Sequence, residues 1–307
     1  MLVSVKSKGT IQMVAAMMLS GSIGYFVIES AQPFWNVVFF RCLIGAIFLA
    51  AYVTVTSQFK WEMFNYVTTF IIVLGGVALV GNWVLLFASF DYIPFSIATI
   101  AYHMQPIMLV LAGTVLARQW PSANVILGLV TALVGLWLIV GLDGSQFTAA
   151  FSEQGTSSQI IKGVLLALGA AVLYTITTLL TKKVSHIPPS TIAFVQVLIG
   201  TIFMFPWADF SVLSTEVTPW INILILGLVN TGFMYVIMYD AFQKLSTPLI
   251  AILSFIYPVM ALVVDYLAFG HMISFSQVWG IVLILLAVGL VKFNWNFTKF
   301  KRRKLCN

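Results

Sequence analysis

The chain has 307 residues, of which 61% are apolar and only 8% charged, and its mean hydropathy is +1.05. A soluble domain carries roughly 25% charged residues, so this chain has too few charges to cover a surface in water and is suited to lipid. Lys and Arg outnumber Asp and Glu, 15 to 9, for a net charge of +6.

A chain of this length has room for roughly ten helices of about 20 apolar residues with short loops. A transmembrane β-barrel would alternate apolar and polar residues in segments of about ten. Here the apolar runs are continuous, as from Phe70 to Phe87. The fold class expected is therefore all-α and integral to the membrane.

Helix 1 is predicted from Thr10 to Ile28. Lys6 and Lys8 precede it in the manner of a signal peptide, but no small-residue cleavage site follows, and it is kept as a span. Helix 2 follows from Pro33 to Thr56, helix 3 from Tyr66 to Ser89, helix 4 from Pro94 to Leu116 and helix 5 from Ala123 to Leu142. The polar stretch Asp143 to Gln159 is the longest loop. Helix 6 runs from Ile161 to Thr181, helix 7 from Pro189 to Trp207, helix 8 from Pro219 to Phe242, helix 9 from Pro248 to Phe269 and helix 10 from Ser274 to Phe293. Proline opens helices 2, 4, 7, 8 and 9, where its missing N–H costs nothing. Cys42 falls within a span and Cys306 in the tail, a placement that predicts no disulfide.

Charge sorts across this layout. With the N-terminus in the cytoplasm, the inner side holds Lys6, Lys8, Lys60, Arg118, Lys182, Lys183, Lys244, Lys292 and the tail cluster Lys299, Lys301, Arg302, Arg303 and Lys304. The outer side holds Lys162 with Glu29, Asp91, Asp143, Glu153, Asp209 and Glu216. This is the positive-inside distribution, and it places both termini in the cytoplasm of a multi-pass protein of the cell (inner) membrane. The tail cluster reads as a topology anchor, or as a site for anionic lipid or a partner.

The halves echo each other. Arg41 to Phe48 in helix 2 aligns with Gln196 to Phe203 in helix 7, and Met104-Gln105-Pro106 in helix 4 with Ile256-Tyr257-Pro258 in helix 9. Gly128 and Gly280 match in helices 5 and 10. Five spans per half give the halves opposite orientation, an arrangement associated with alternating access and a midplane site. The expected division is a first repeat over 1–142, an extracytoplasmic linker over 143–160, a second repeat over 161–298 and a basic tail over 299–307. Pro106 and Pro258 each deprive the carbonyl four residues earlier of its partner and predict matched kinks.

This pattern resembles the EamA-type branch of the drug/metabolite transporter superfamily. The resemblance rests on Pro33 and Arg41 in helix 2, on Phe87-Ala88-Ser89-Phe90-Asp91-Tyr92-Ile93 leading to Pro106, and on Tyr239-Asp240-Ala241-Phe242-Gln243-Lys244-Leu245 leading to Pro258. It covers nearly the whole chain as weak motifs, and implies two five-helix repeats and carriage of a small molecule, commonly outward. Two departures stand out. The Gly-Glu pair common in the family after helices 4 and 9 reads Arg118-Gln119 and Gly270-His271 here. No carboxylate sits centrally in helix 1 or 6, where the matched residues are Ser20 and Tyr174, so proton exchange for cationic drugs through such a group is poorly supported.

Polar residues within a membrane are costly and mark function by default. Arg41 and Asp265, both in the outer half of the bundle, are expected to form an ion pair; Arg41 bonded to carbonyls, or Arg41 as an anion site, are the alternatives. Asp240 beside Lys244 reads as an i,i+4 pair. Asn82, Trp83, Tyr102, His103, Gln105, Tyr174, Gln196, Asn230, Tyr235 and Tyr257 lie within the spans. Packing or interhelical hydrogen bonding accounts for each taken singly. Together, Asn82, Trp83, Tyr102, His103, Tyr174, Asn230, Tyr235 and Tyr257 suit a wet midplane cavity for an organic solute. His103 either couples protons, since histidine titrates near neutral pH, or is a neutral hydrogen-bonded residue.

The function expected is secondary transport of a small polar or amphipathic metabolite, such as an amino acid or amine. A membrane-embedded enzyme and a channel-like facilitator are the competing classes. No HExxH, CxxC, GxSxG or nucleotide loop occurs, so no cofactor, catalytic residue or metal is called for. The expected partners are the solute and the bilayer, with no nucleic acid.

Overall fold

The computed structural model describes residues 4–141 and 157–293. Most of the polar linker, the basic cluster Lys299 to Lys304 and Cys306 lie outside the described residues.

Ten helices among the described residues are long and apolar enough to cross a membrane, and no strand occurs among these residues. They are α1 (Val5–Glu29), α2 (Phe34–Val55), α3 (Tyr66–Ser89), α4 (Phe95–Tyr102 and Gln105–Ala117), α5 (Ala123–Val140), α6 (Ser157–Lys183), α7 (Pro189–Trp207), α8 (Val217–Lys244), α9 (Thr247–Leu253 and Ile256–Phe269) and α10 (Phe275–Phe293). The chain is an all-helical multi-pass membrane protein of two five-helix repeats.

Local capping sets several helix ends, and it moves the start of α1 ahead of the one hydropathy predicts. Ser4 starts α1 ahead of the expected Thr10 by accepting from the Ser7 N–H at 3.2 Å. Asn65 starts α3 the same way, from the Thr68 N–H at 2.8 Å. Such short side chains satisfy N–H groups that have no partner inside the helix. At the other end, the matched residues Arg118 and Gly270 close α4 and α9 in the left-handed conformation, with φ of 50° and 70°.

The kinks expected at the two prolines are there. α4 is interrupted at His103-Met104 and α9 at Ser254-Phe255, just ahead of Pro106 and Pro258. Two further irregularities have no proline behind them. α1 breaks at Ser22, and α8 contains a π-helical turn at Leu228–Phe233. The break in α1 accompanies a close approach: a Cβ on Gly21 would sit 2.5 Å from Met260 Cβ and 2.8 Å from the Ala261 nitrogen of α9.

The packing has the exchange symmetry of an inverted repeat. α1 packs on α8 and α9, while its counterpart α6 packs on α3 and α4. The self-matched pairs, α2 with α7 and α5 with α10, lie against each other. Small residues permit the last approach: a Cβ on Gly280 would lie 2.5 Å from the Gly135 carbonyl oxygen. Close backbone contact of this kind holds helices together where lipid removes the hydrophobic driving force. The outward faces carry apolar side chains such as Val77, Ile126, Leu285 and Leu286, as a lipid-facing surface requires.

Candidate functional site

The interior of the bundle is built around Arg41 on α2, which is 1% exposed. Its Nε donates to Thr231 Oγ1 at 3.0 Å. That hydroxyl donates in turn to the Leu226 carbonyl at 2.8 Å, across the π turn of α8, so its oxygen is turned to accept from Arg41. The guanidinium carbon lies 4.1 Å from the centre of the Trp83 ring on α3. Nη2 is buried with no hydrogen-bond partner.

The expected pair between Arg41 and Asp265 does not form. Asp265 is bound to Nδ1 of His271 at 2.9 Å, and its side chain is 41% exposed. Both residues were placed in the outer half from sequence position, but depth along a helix says nothing about the face on which a side chain points. Asp240 does pair with Lys244 one turn on, and also accepts from Gln12 Nε2 of α1 at 2.5 Å.

Aromatic rings from both repeats meet beside Arg41. Trp83 and Tyr235 are edge to face with centroids 5.9 Å apart. The alignment of Phe87 to Ile93 with Tyr239 to Leu245 carries Trp83 onto Tyr235 and His103 onto Phe255. These equivalent residues touch, the second pair at 6.2 Å, which places the cluster on the pseudo-two-fold axis. Tyr102 and Tyr174 are stacked at 6.2 Å and 18°, and His103 is stacked with Tyr257 at 5.4 Å and 26°. Tyr102, Tyr174 and Tyr257 each keep part of their surface accessible. Trp83 and His103, at 6% and 5% exposure, are buried.

Hydrogen bonds hold these side chains. Asn82 Nδ2 donates to the Ala170 carbonyl at 2.8 Å, and its amide is 3.4–3.5 Å from the Tyr102 hydroxyl. His103 Nδ1 is 2.8 Å from the Thr99 carbonyl, so that nitrogen carries the proton and donates. Asn230 is turned away toward α1: its Nδ2 donates to the Leu19 carbonyl at 2.7 Å and to Ser22 Oγ at 3.2 Å. It clamps the break in α1 and does not join the aromatic cluster. Sequence reasoning missed Thr231 and Tyr239. Tyr239 stands one turn after Tyr235 and donates to Gln196 Oε1 at 2.5 Å. That i,i+4 tyrosine spacing was the available signal for it; Thr231 offered none.

The ends of the bundle are closed by separate contacts. On the expected inner side, Lys182 Nζ donates to the Phe242 and Leu245 carbonyls at the end of α8. On the opposite side, the Asn36 amide exchanges two 2.8 Å hydrogen bonds with the backbone of Asp209. The Asp209 carboxyl is held below the usual carboxylate range by hydrogen bonds from the side chain and backbone N–H of Ser211. Among the described residues no cluster of His, Cys, Asp and Glu is arranged to hold a metal.

The EamA-like transporter family matches the chain twice, at residues 7–141 and 161–293. The chain belongs to the EamA-like transporter family. An uncharacterized transporter of Bacillus subtilis (strain 168), YxxF, is 32% identical over 93% of this chain and 89% of its own length. An uncharacterized transporter of Haemophilus influenzae is 24% identical over 76% and 74% of the two chains, and one of Archaeoglobus fulgidus is 27% identical over 67% and 69%. A solved crystal structure superposes with a TM-score of 0.80 over 94% of this chain and 97% of that one, at 16% identity, a likeness of fold alone. As an EamA-like transporter, the protein has the inherited symmetry that explains why the aromatic cluster is assembled from equivalent residues of both repeats.

Proposed function

We propose that this transporter is a secondary carrier of a small polar or amphipathic metabolite, working by alternating access around the midplane recess. The observation that carries the reading is the meeting of symmetry-equivalent aromatic residues, Trp83 with Tyr235 and His103 with Phe255, on the axis between the repeats. Rocking of one repeat against the other would open that place to either side while leaving it at the midplane. Tyr102, Tyr174 and Tyr257 supply the accessible wall, and Asn82 fixes Tyr102. His103 supports Tyr257 from behind, and its Nδ1 is committed to the Thr99 carbonyl. The repeats correspond to 1–142 and 161–298, with 143–160 as an extracytoplasmic linker and 299–307 as a cytoplasmic tail. The positive-inside distribution of charge supports a place in the cell membrane with both termini cytoplasmic. Export is the direction implied by the family resemblance.

The geometry disfavours a cationic solute. The face of Trp83 that would attract a cation is occupied by Arg41. A second positive charge about 6 Å from Arg41 would meet roughly 3 kcal/mol of repulsion at an effective dielectric of about 20. The test is flux in proteoliposomes of purified protein. Saturable uptake, accelerated by the same solute trapped on the far side, is expected, and should be lost in Tyr102→Ala and Tyr174→Ala variants that remain monodisperse. Flux that rises linearly with concentration at pore-like rates would overturn the carrier reading.

A further inference from the structure

We propose that Arg41 is the anchor for the carboxylate of the transported solute, which makes the substrate class a small organic monocarboxylate with a flat apolar body. This rests on the reading of the midplane recess as the transport site. A guanidinium in the middle of a membrane protein is costly unless its charge is answered. Among the described residues no carboxylate forms an ion pair with Arg41: Asp240 pairs with Lys244, Asp265 with His271, and Glu29 stands at the end of α1. Thr231 takes Nε, Trp83 takes one face, and Nη2 has no partner.

The arrangement is that of a preorganised anion receptor. Two independent supports, the hydroxyl on the π turn and the indole face, fix the planar fork before any ligand arrives, so little side-chain freedom is lost on binding. π turns within helices occur frequently at functional sites, and here the turn carries the residue that orients the guanidinium. Beside it, the stacked rings of Tyr102 and Tyr174 and the partly exposed Tyr257 offer flat apolar surface. A zwitterion or an amine would bring an ammonium group for which these walls hold no carboxylate. A monocarboxylate matches both the unanswered charge and the aromatic surface.

The experiment is thermal unfolding of the purified full chain in detergent with three matched panels. The first holds benzoate, phenylacetate, 3-phenylpropionate, indole-3-acetate and octanoate; the second holds their primary amides; the third holds amines of the same bodies. At least one carboxylate is expected to raise the unfolding temperature saturably, with its amide and amine without effect. Arg41→Met should abolish that shift, and Arg41→Lys, which keeps the charge but loses the fork, should weaken apparent affinity about tenfold. Should Arg41→Met fail to fold, the Arg41→Lys comparison and the carboxylate-against-amide contrast in the native protein decide the matter. A flat response to every carboxylate, or a carboxylate shift unchanged in either Arg41 variant, overturns the proposal. The two readings fail separately. Arg41-dependent carboxylate binding without saturable flux refutes carriage alone. Saturable flux of a neutral or cationic solute that survives Arg41→Met refutes the carboxylate anchor alone.

Discussion

Trp83 is the residue at which the site and the stability of the fold are most closely joined. It is 6% exposed, with Arg41 4.1 Å over its face and Tyr235 edge-on at 5.9 Å. Truncating a packed tryptophan to alanine costs about 3–5 kcal/mol. Uncovering the guanidinium also forfeits a desolvated cation–π contact worth about 2 kcal/mol. Trp83→Ala is therefore expected to destabilise the protein by about 5 kcal/mol or more, whereas Trp83→Phe keeps a ring face and should cost about 1–2 kcal/mol. Tyr102→Ala, which removes a partly exposed ring and one long hydrogen bond to Asn82, should cost about 1–2 kcal/mol. The assay is equilibrium unfolding in dodecylmaltoside micelles titrated with dodecyl sulfate, followed by far-ultraviolet circular dichroism. The deciding measurement is a cycle of Trp83→Leu, Arg41→Met and the double variant, for which a coupling of about 1–2 kcal/mol is expected. Additivity to within about 0.5 kcal/mol would refute the claim that Trp83 supports the Arg41 charge.

Three further outcomes test other parts of the structure. Gly280→Leu should separate α5 from α10 and lower the unfolding temperature sharply, because its Cβ would lie 2.5 Å from the Gly135 carbonyl oxygen; Gly289→Ala on the same helix, with nothing within 4 Å, should be neutral or slightly stabilising. Arg118→Gly should stabilise by about 1 kcal/mol, since Arg118 holds φ of 50° and a left-handed residue with a Cβ costs roughly 1–2 kcal/mol; a loss of stability by the same unfolding assay would contradict this. In cells carrying Cys306→Ser, an impermeant maleimide should label the exposed site Thr215→Cys from outside and leave Ser7→Cys unlabelled until the membrane is permeabilised, with Cys42 silent because it is buried; the reverse pattern would invert the topology.

The amino-acid sequence by itself determined the membrane as solvent, the number of spans and their division into two five-helix repeats, because each follows from one-dimensional quantities. Continuous apolar runs, the alternation of loop charge and the recurrence of motifs need no knowledge of which helix faces which. The kinks ahead of Pro106 and Pro258 were legible for the same reason, since a missing N–H acts within its own helix. The aromatic and polar residues of the interior could be named, but not sorted. Only the tertiary structure separated the partly accessible Tyr102, Tyr174 and Tyr257 from the buried Trp83 and His103. It also turned Asn230 toward the break in α1, which its depth in the span had placed with the wall. The partner of Arg41 depended on three dimensions most of all. Asp265 looked suitable because it lies at a similar depth, yet it faces His271, and the guanidinium rests on Thr231 and Trp83. Hydropathy reports how far along the membrane normal a residue sits; helix rotation and the register between helices, which decide what it touches, come from packing of the whole bundle.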